Sequence, residues 1–138
     1  MANIGRNEFV DGDWILRKVE DIAICGSFDC GDADLNEYFH VDAILHKKEL
    51  LTQTYCLQLR AIPNLVIALL DFCNDTVQLK SLGNTIDIDE RKRYRSLPAV
   101  KLTRFGVAKK FQRMNVGTNA LNMVKRFFTL DNRRYNQY

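Results

Sequence analysis

Apolar positions along this chain follow several different periods, and each period predicts an element. In residues 14–19, WILRKV, aromatic and branched side chains precede a polar bend and predict a first strand. Residues 32–51 change to helical spacing. Leu35, Tyr38 and Phe39 share one face behind Asp32 or Asp34 as N-cap, and Ile44, Leu45 and Leu51 follow a further candidate cap, Asp42, so two helices are expected. Residues 53–59 then alternate, with Tyr55, Leu57 and Leu59 against Thr54, Cys56 and Gln58, the period of a half-buried strand. The turn IPN at 62–64 separates them from LVIALLDF at 65–72. That continuous apolar run reads as a central strand covered on both faces and pairs antiparallel with 53–59.

Between 74 and 97 the pattern weakens into a polar stretch, where Asn74, Asp75, Gly83 and Asn84 mark turns and DIDERKRYR permits a short helix. This is the expected insertion. Residues 99–107, AVKLTRFGV, have strand composition with Gly106 near the end, where a glycine marks either a bulge or a close approach to the backbone. A basic loop follows, and a helix from Thr118 carries Ala120, Leu121, Val124, Phe127 and Phe128 on one stripe and Asn119, Asn122, Arg126 and Thr129 on the other. The expected fold class is α/β: a mixed sheet with 65–72 beside both 53–59 and 99–107, and this last helix packed on one face.

The length, 138 residues, suits a single domain over 1–138 with a buried core. The sequence contains no apolar run long enough to span a bilayer, and its first residues lack a secretory signal pattern, so a cytoplasmic protein is expected. Cys25, Cys30, Cys56 and Cys73 form no C-x-x-C pair, and His40 and His46 are not spaced with them as zinc ligands would be. Reduced thiols and no metal are expected.

Charge changes the picture more than composition does. Residues 1–75 hold 6 Lys/Arg and 13 Asp/Glu, a balance of −7, whereas residues 76–138 hold 14 and 4, a balance of +10. Clusters at 90–95, at Lys109, Lys110 and Arg113, at Lys125 and Arg126, and at Arg133 and Arg134 favour a phosphate-bearing partner. A nucleic-acid-binding module has charge alone in its favour. The segment KKFQRMNVGTNAL, 109–121, joins a strand to an amphipathic helix through a basic loop. Such a junction aims free backbone N–H groups and the positive end of the helix dipole at the loop. Gly117 admits a ligand close to the main chain, and Asn115 is among the few other residues that readily take left-handed backbone angles. An ordinary helix start with basic residues has the same pattern.

LTRFGVAKKFQRMNVGTNAL, 102–121, resembles the acetyl-CoA-binding motif of the GCN5-related N-acetyltransferases, in which a strand leads to Q/R-x-x-G-x-G/A and a helix. Gln112 takes the first motif position, Asn115 stands where the first glycine is usual, and Gly117 takes the second. FDCGDADLNEYF, 28–39, is similar to the opening of the small toxin-like branch of that family, with Phe28, Cys30, Gly31, Leu35, Asn36 and Tyr38 in order. The resemblance covers roughly residues 14–130.

The resemblance implies an acyl-CoA N-acyltransferase fold that passes an acetyl group from acetyl-CoA directly to an amine. It implies that the main chain of Phe105, Gly106 and Val107 holds the pantetheine arm and that Gln112, Arg113, Met114, Asn115, Val116, Gly117 and Thr118 wrap the pyrophosphate. The acceptor amine is open among proteins, small amines and aminoacyl-tRNA, the last being a substrate of toxin-like relatives. The family fold continues past this helix with further strands and a helix that commonly supplies a tyrosine general acid. Only DNRRYNQY is left here, so an incomplete domain with no assignable catalytic residue is expected, either active as a transferase or persisting as a CoA-binding or regulatory remnant. Homodimerisation through the exposed edge of the 99–107 strand is the associated expectation.

Overall fold

The computed structural model describes residues 7–78 and 96–136. Five strands form one sheet in sequence order: β1 (Glu8–Asp11), β2 (Trp14–Lys18), β3 (Gln53–Leu59), β4 (Ala68–Gln78) and β5 (Ser96–Val107). The α/β class is as expected; the described pairings are antiparallel throughout rather than mixed. Strand β1, absent from the sequence-based expectation, pairs with β2 through a tight turn at Gly12, whose φ of 60° suits glycine.

One helical segment replaces the expected two. Asp32 caps α1 (Ala33–Glu37), accepting a hydrogen bond from Leu35 N, and the chain runs through a π-helical turn (Tyr38–Asp42) straight into α2 (Ala43–Lys48). Asp42 is therefore mid-helix, and its side chain caps nothing. The wide turn puts Tyr38 and Phe39 into the core together, with their rings edge-on. Of the expected apolar set, Leu45 and Leu51 are exposed instead.

The predicted 53–59 strand is β3, but it is buried on both faces rather than one. It is the central strand of the five. Tyr55 and Leu57 face a core built with helix α3 (Val116–Asn136), while Cys56 faces a second core under the α1–α2 segment. The polar residues on that second face find partners: Thr54 bonds Asp71, and the Gln58 amide donates to the carbonyl of Pro63. Strand β4 starts at Ala68, three residues later than expected, because Leu65 N is held in a turn by Ile62 O. It then continues to Gln78, into the stretch expected to be an insertion, and pairs with β5 from Ser96 onward. The short helix expected within 87–95 lies outside the described residues.

Helix α3 begins at Val116, two residues earlier than predicted. Over residues 116–129 of the helix, Val116, Ala120, Met123 and Phe127 are the buried positions, whereas Leu121 is exposed and Val124 and Phe128 are only half-buried. The buried stripe is thus rotated from the expected one. Phe127 packs between Phe9 of β1, at 5.5 Å between ring centroids, and Tyr55 of β3, at 5.7 Å. One helix thereby covers the sheet from its first strand to its third. Among the described residues no helix is long and apolar enough to cross a membrane.

Candidate functional site

Strand β5 lies at one end of the sheet, so one of its edges has no described strand beside it. Ala108 N donates to Ile67 O at 2.8 Å, which fixes the phase of the ladder. By the alternation of an antiparallel pair, Gly106 turns its polar groups inward, and Phe105 and Val107 turn theirs toward the open edge. The bulge lies elsewhere than at Gly106. Asp71 faces Arg104 and Phe72 faces Leu102, leaving Thr103 as the extra residue. Gly106 is needed for close approach, but by the chain itself: a Cβ there would lie 3.1 Å from Leu35 Cδ2 and 3.3 Å from a carbon of the Phe28 ring.

After β5 comes a short 3₁₀ turn (Lys109–Phe111) and then the loop into α3. Arg113 and Asn115 both take left-handed angles, φ 65° and 60°, and neither is glycine. Asn115 O accepts the first helical bond, from Asn119 N at 3.0 Å. The N–H groups of Val116, Gly117 and Thr118 stand ahead of that bond, as at any helix start. Gly117 lies within the helix rather than in the loop, and the nearest atom to a Cβ built on it is Phe105 Cε2 at 3.9 Å. Arg113, Met114, Asn115 and Thr118 are exposed, Gly117 is half-buried, and Val116 is buried in the core.

Gln112 departs from the expected arrangement. Its side-chain amide is committed to the chain's own carbonyls, donating to Cys30 O at 2.6 Å and Val107 O at 2.8 Å. Lys109 N also donates to Asp29 O at 3.0 Å, and the Lys109 stem lies over Gly31, whose φ is 88°. The 28–39 segment is itself cross-braced. Asn36 accepts from Cys30 N at 2.9 Å and donates to Asp29 at 2.9 Å. The Asn36 amide, then the Gly31 N–H, hold the Asp29 carboxyl below the usual carboxylate range. The two sequence segments that carry the family resemblance are therefore hydrogen-bonded to each other, and the first sets where the loop of the second begins. Beside this junction lies a cleft of about 500 Å³ lined by Phe28, Asp29, Leu65, Lys109, Lys110 and Phe111. Among the described residues, neither Lys109, Lys110 nor Arg113 forms an ion pair.

A second polar cluster, which sequence reasoning missed, sits at the bulge. Asp71 is fully buried; the hydroxyls of Tyr38 and of Thr54, at 2.9 Å, donate to its carboxylate, and the Thr103 hydroxyl lies 2.9 Å from its main-chain carbonyl and 3.2 Å from Oδ2, its one proton shared between them. The guanidinium of Arg104 lies 3.8 Å from the centre of the Tyr38 ring, and His46 Nδ1 is 3.3 Å from the Tyr38 hydroxyl. Burial, then the bond to Asp71, pushes the Tyr38 phenol up to about 12, so it acts as a donor. The signal for this cluster was present in the sequence as the one acid in the apolar run LVIALLDF. Among the described residues no group of three His, Cys, Asp or Glu side chains could hold a metal ion.

No protein-family model and no curated protein matches the sequence. Solved structures do match. A crystal structure of a KacT mutant superposes with a TM-score of 0.65 at 17% identity, over 88% of this chain and 72% of that one. AtaTR bound with AcCoA gives 0.64 at 18% identity, over 88% and 72%. AtaT complexed with acetyl-methionyl-tRNAfMet gives 0.58 at 19%, over 81% and 69%. At such identities the likeness is one of fold, and the chain has the GNAT-like acyl-CoA N-acyltransferase fold shared with KacT and the toxin AtaT.

Proposed function

We propose that residues 1–138 form an N-acetyltransferase domain that binds acetyl-CoA and passes its acetyl group to an amine. The observation that carries this reading is the pair of left-handed residues, Arg113 and Asn115, directly ahead of the α3 N-terminus at the end of an open-edged strand. Non-glycine residues at such angles cost free energy and persist where surrounding structure requires them, commonly at ligand sites. The main chain of Arg113, Met114, Asn115, Val116, Gly117 and Thr118 surrounds the pyrophosphate, and Lys109, Lys110 and Arg113 supply counter-charge. The outward main-chain groups of Phe105 and Val107 carry the pantetheine arm, and Gly106, whose polar groups are turned to β4, contributes only by keeping the strand close to its neighbours. Gln112 contributes by bracing the loop, since its amide is already bonded to Cys30 and Val107.

The fold neighbour bound with AcCoA supports the choice of cofactor, and the neighbour complexed with acetyl-methionyl-tRNAfMet supports aminoacyl-tRNA among the acceptor classes. The basic balance of residues 76–138 suits both. The second reading, a CoA-binding or regulatory form that dimerises, is favoured by the twelve-residue β5 with no described strand on its outer edge. Thiol release from acetyl-CoA with a pool of amine acceptors separates the two. Turnover that scales with acceptor supports the transferase; acetyl-CoA binding without turnover, by a chain that sediments as a dimer, supports the second reading and refutes the first.

A further inference from the structure

Asn36 is half-buried on α1, and among the described residues every side-chain hydrogen bond it makes goes to Asp29 or Cys30. Its Oδ1 accepts from Cys30 N at 2.9 Å and from Cys30 Sγ at 3.2 Å, and its Nδ2 donates to Asp29 Oδ1 at 2.9 Å. Only an amide fits these partners. An aspartate has no donor for Asp29 and would set a like charge beside it, and a reversed amide would turn its NH₂ toward the Cys30 N–H. The two residues that Asn36 holds carry the next contacts outward. Their consecutive carbonyls grip both ends of the turn that starts the loop: Asp29 O accepts from Lys109 N at 3.0 Å, and Cys30 O accepts from the Gln112 side chain at 2.6 Å. Arg113, at φ 65°, follows directly. A residue other than glycine keeps such an angle only while its surroundings hold it there, and the groups that hold it on this side lead back to Asn36.

We propose that Asn36 is a positioning residue of the cofactor loop: through Asp29, Cys30 and Gln112 it keeps 113–118 in the shape that receives pyrophosphate, without touching the cofactor. The proposal rests on the acetyl-CoA reading. Linkage makes the effect reciprocal, so that bound acetyl-CoA tightens the contacts of Asn36 by the same factor by which they tighten its binding. The N–H groups of Cys30 and Gly31, bonded to Asn36 and to Asp29, therefore exchange their hydrogens more slowly in the complex, although neither belongs to the loop.

The test titrates acetyl-CoA calorimetrically into wild type, Asn36→Ala, Gln112→Ala, the double variant and Asp32→Ala, with thermal melts reporting folding. Asp32→Ala removes the α1 cap from the same segment and leaves the contacts of Asn36 in place, so it reports what a merely structural loss does to binding. The expected result is an acetyl-CoA Kd raised about 10-fold in Asn36→Ala and in Gln112→Ala. The double variant loses little beyond either single one, and Asp32→Ala stays within about 3-fold of wild type. Amide exchange of wild type with and without acetyl-CoA supplies the second measurement and needs no variant to fold. Unchanged exchange at both Cys30 and Gly31 on saturation, a folded Asn36→Ala that binds as wild type does, a double variant whose loss is the product of the two single losses, or an Asp32→Ala as weak as Asn36→Ala overturns the proposal alone. A folded wild-type chain that binds no acetyl-CoA overturns it together with the acetyl-CoA reading.

Discussion

Gly106 and Gly117 flank the candidate loop, and replacing each by alanine should move stability in opposite directions. At Gly106 the new methyl would sit 3.1 Å from Leu35 Cδ2, 3.3 Å from Phe28 Cε2 and 3.4 Å from Cys30 Cβ. Phe28 and Cys30 are buried, so the neighbours have little room to withdraw. Overpacking of this kind costs about 1–3 kcal/mol, offset by roughly 0.5–1 kcal/mol from removing a glycine's extra freedom in the unfolded chain. A net loss of roughly 0–2.5 kcal/mol is expected. At Gly117 the methyl would meet only Phe105 Cε2 at 3.9 Å, and the backbone there is helical with no positive φ. The unfolded-state gain is then unopposed, and Gly117→Ala should stabilise by up to about 1 kcal/mol. Urea unfolding with a common m-value reads both. A Gly106→Ala that stabilises as much as Gly117→Ala would refute the packing of the 28–35 segment against β5, and with it the route by which that segment positions the loop.

Phe127→Ala, at the fully buried centre of the α3 contact, should lose about 3–5 kcal/mol in urea unfolding, whereas Leu121→Ala on the exposed side should change stability by no more than about 0.5 kcal/mol. Gln112→Ala removes two hydrogen bonds and should cost about 1–2 kcal/mol, with faster amide hydrogen exchange at 109–115 as its local signature. On the alkaline side, burial raises the thiols of Cys25 to about 11 and Cys56 to about 12, and burial with the Asp71 bond raises Tyr38 to about 12. The unfolded chain loses these protons first, so stability should begin to fall above about pH 9 and fall more steeply above about pH 10, as a pH series of melts would show. A flat profile to pH 11 would contradict their burial.

Long periodic segments were the legible part of the fold. The alternation at 53–59 reproduced β3 residue for residue, because two-residue periodicity survives wherever opposite faces meet different surroundings. What it could not convey was that Thr54 and Gln58 are also buried, since their partners, Asp71 and Pro63, come from elsewhere in the chain. The two expected helices fused for a related reason: Asp42 looks like a cap, yet the π-helical turn carries the chain past it. In the loop, Asn115 showed the left-handed angle its residue type suggests, while Arg113 at φ 65° had no signal in its identity. Gln112 stood out only as a motif position, whereas its side-chain amide is bonded to Cys30, 82 residues away, a separation across which sequence alone could show no contact. The Asp71 cluster was visible only as an acid out of place in an apolar run, and its meaning needed the hydroxyls of three other elements.

The central claim is that main-chain groups of 113–118 hold the pyrophosphate of acetyl-CoA. Titration calorimetry of acetyl-CoA into wild type, Gly117→Val and Arg113→Ala, with thermal melts reporting folding, tests it most directly, because a Cβ at Gly117 meets no atom nearer than Phe105 Cε2 at 3.9 Å. The predicted result is saturable 1:1 binding by wild type and none by a folded Gly117→Val, with Arg113→Ala weakened mainly at low ionic strength, where its exposed charge is least screened. Equal binding by wild type and Gly117→Val would place the cofactor elsewhere, and no binding by a folded wild-type chain would contradict the claim outright.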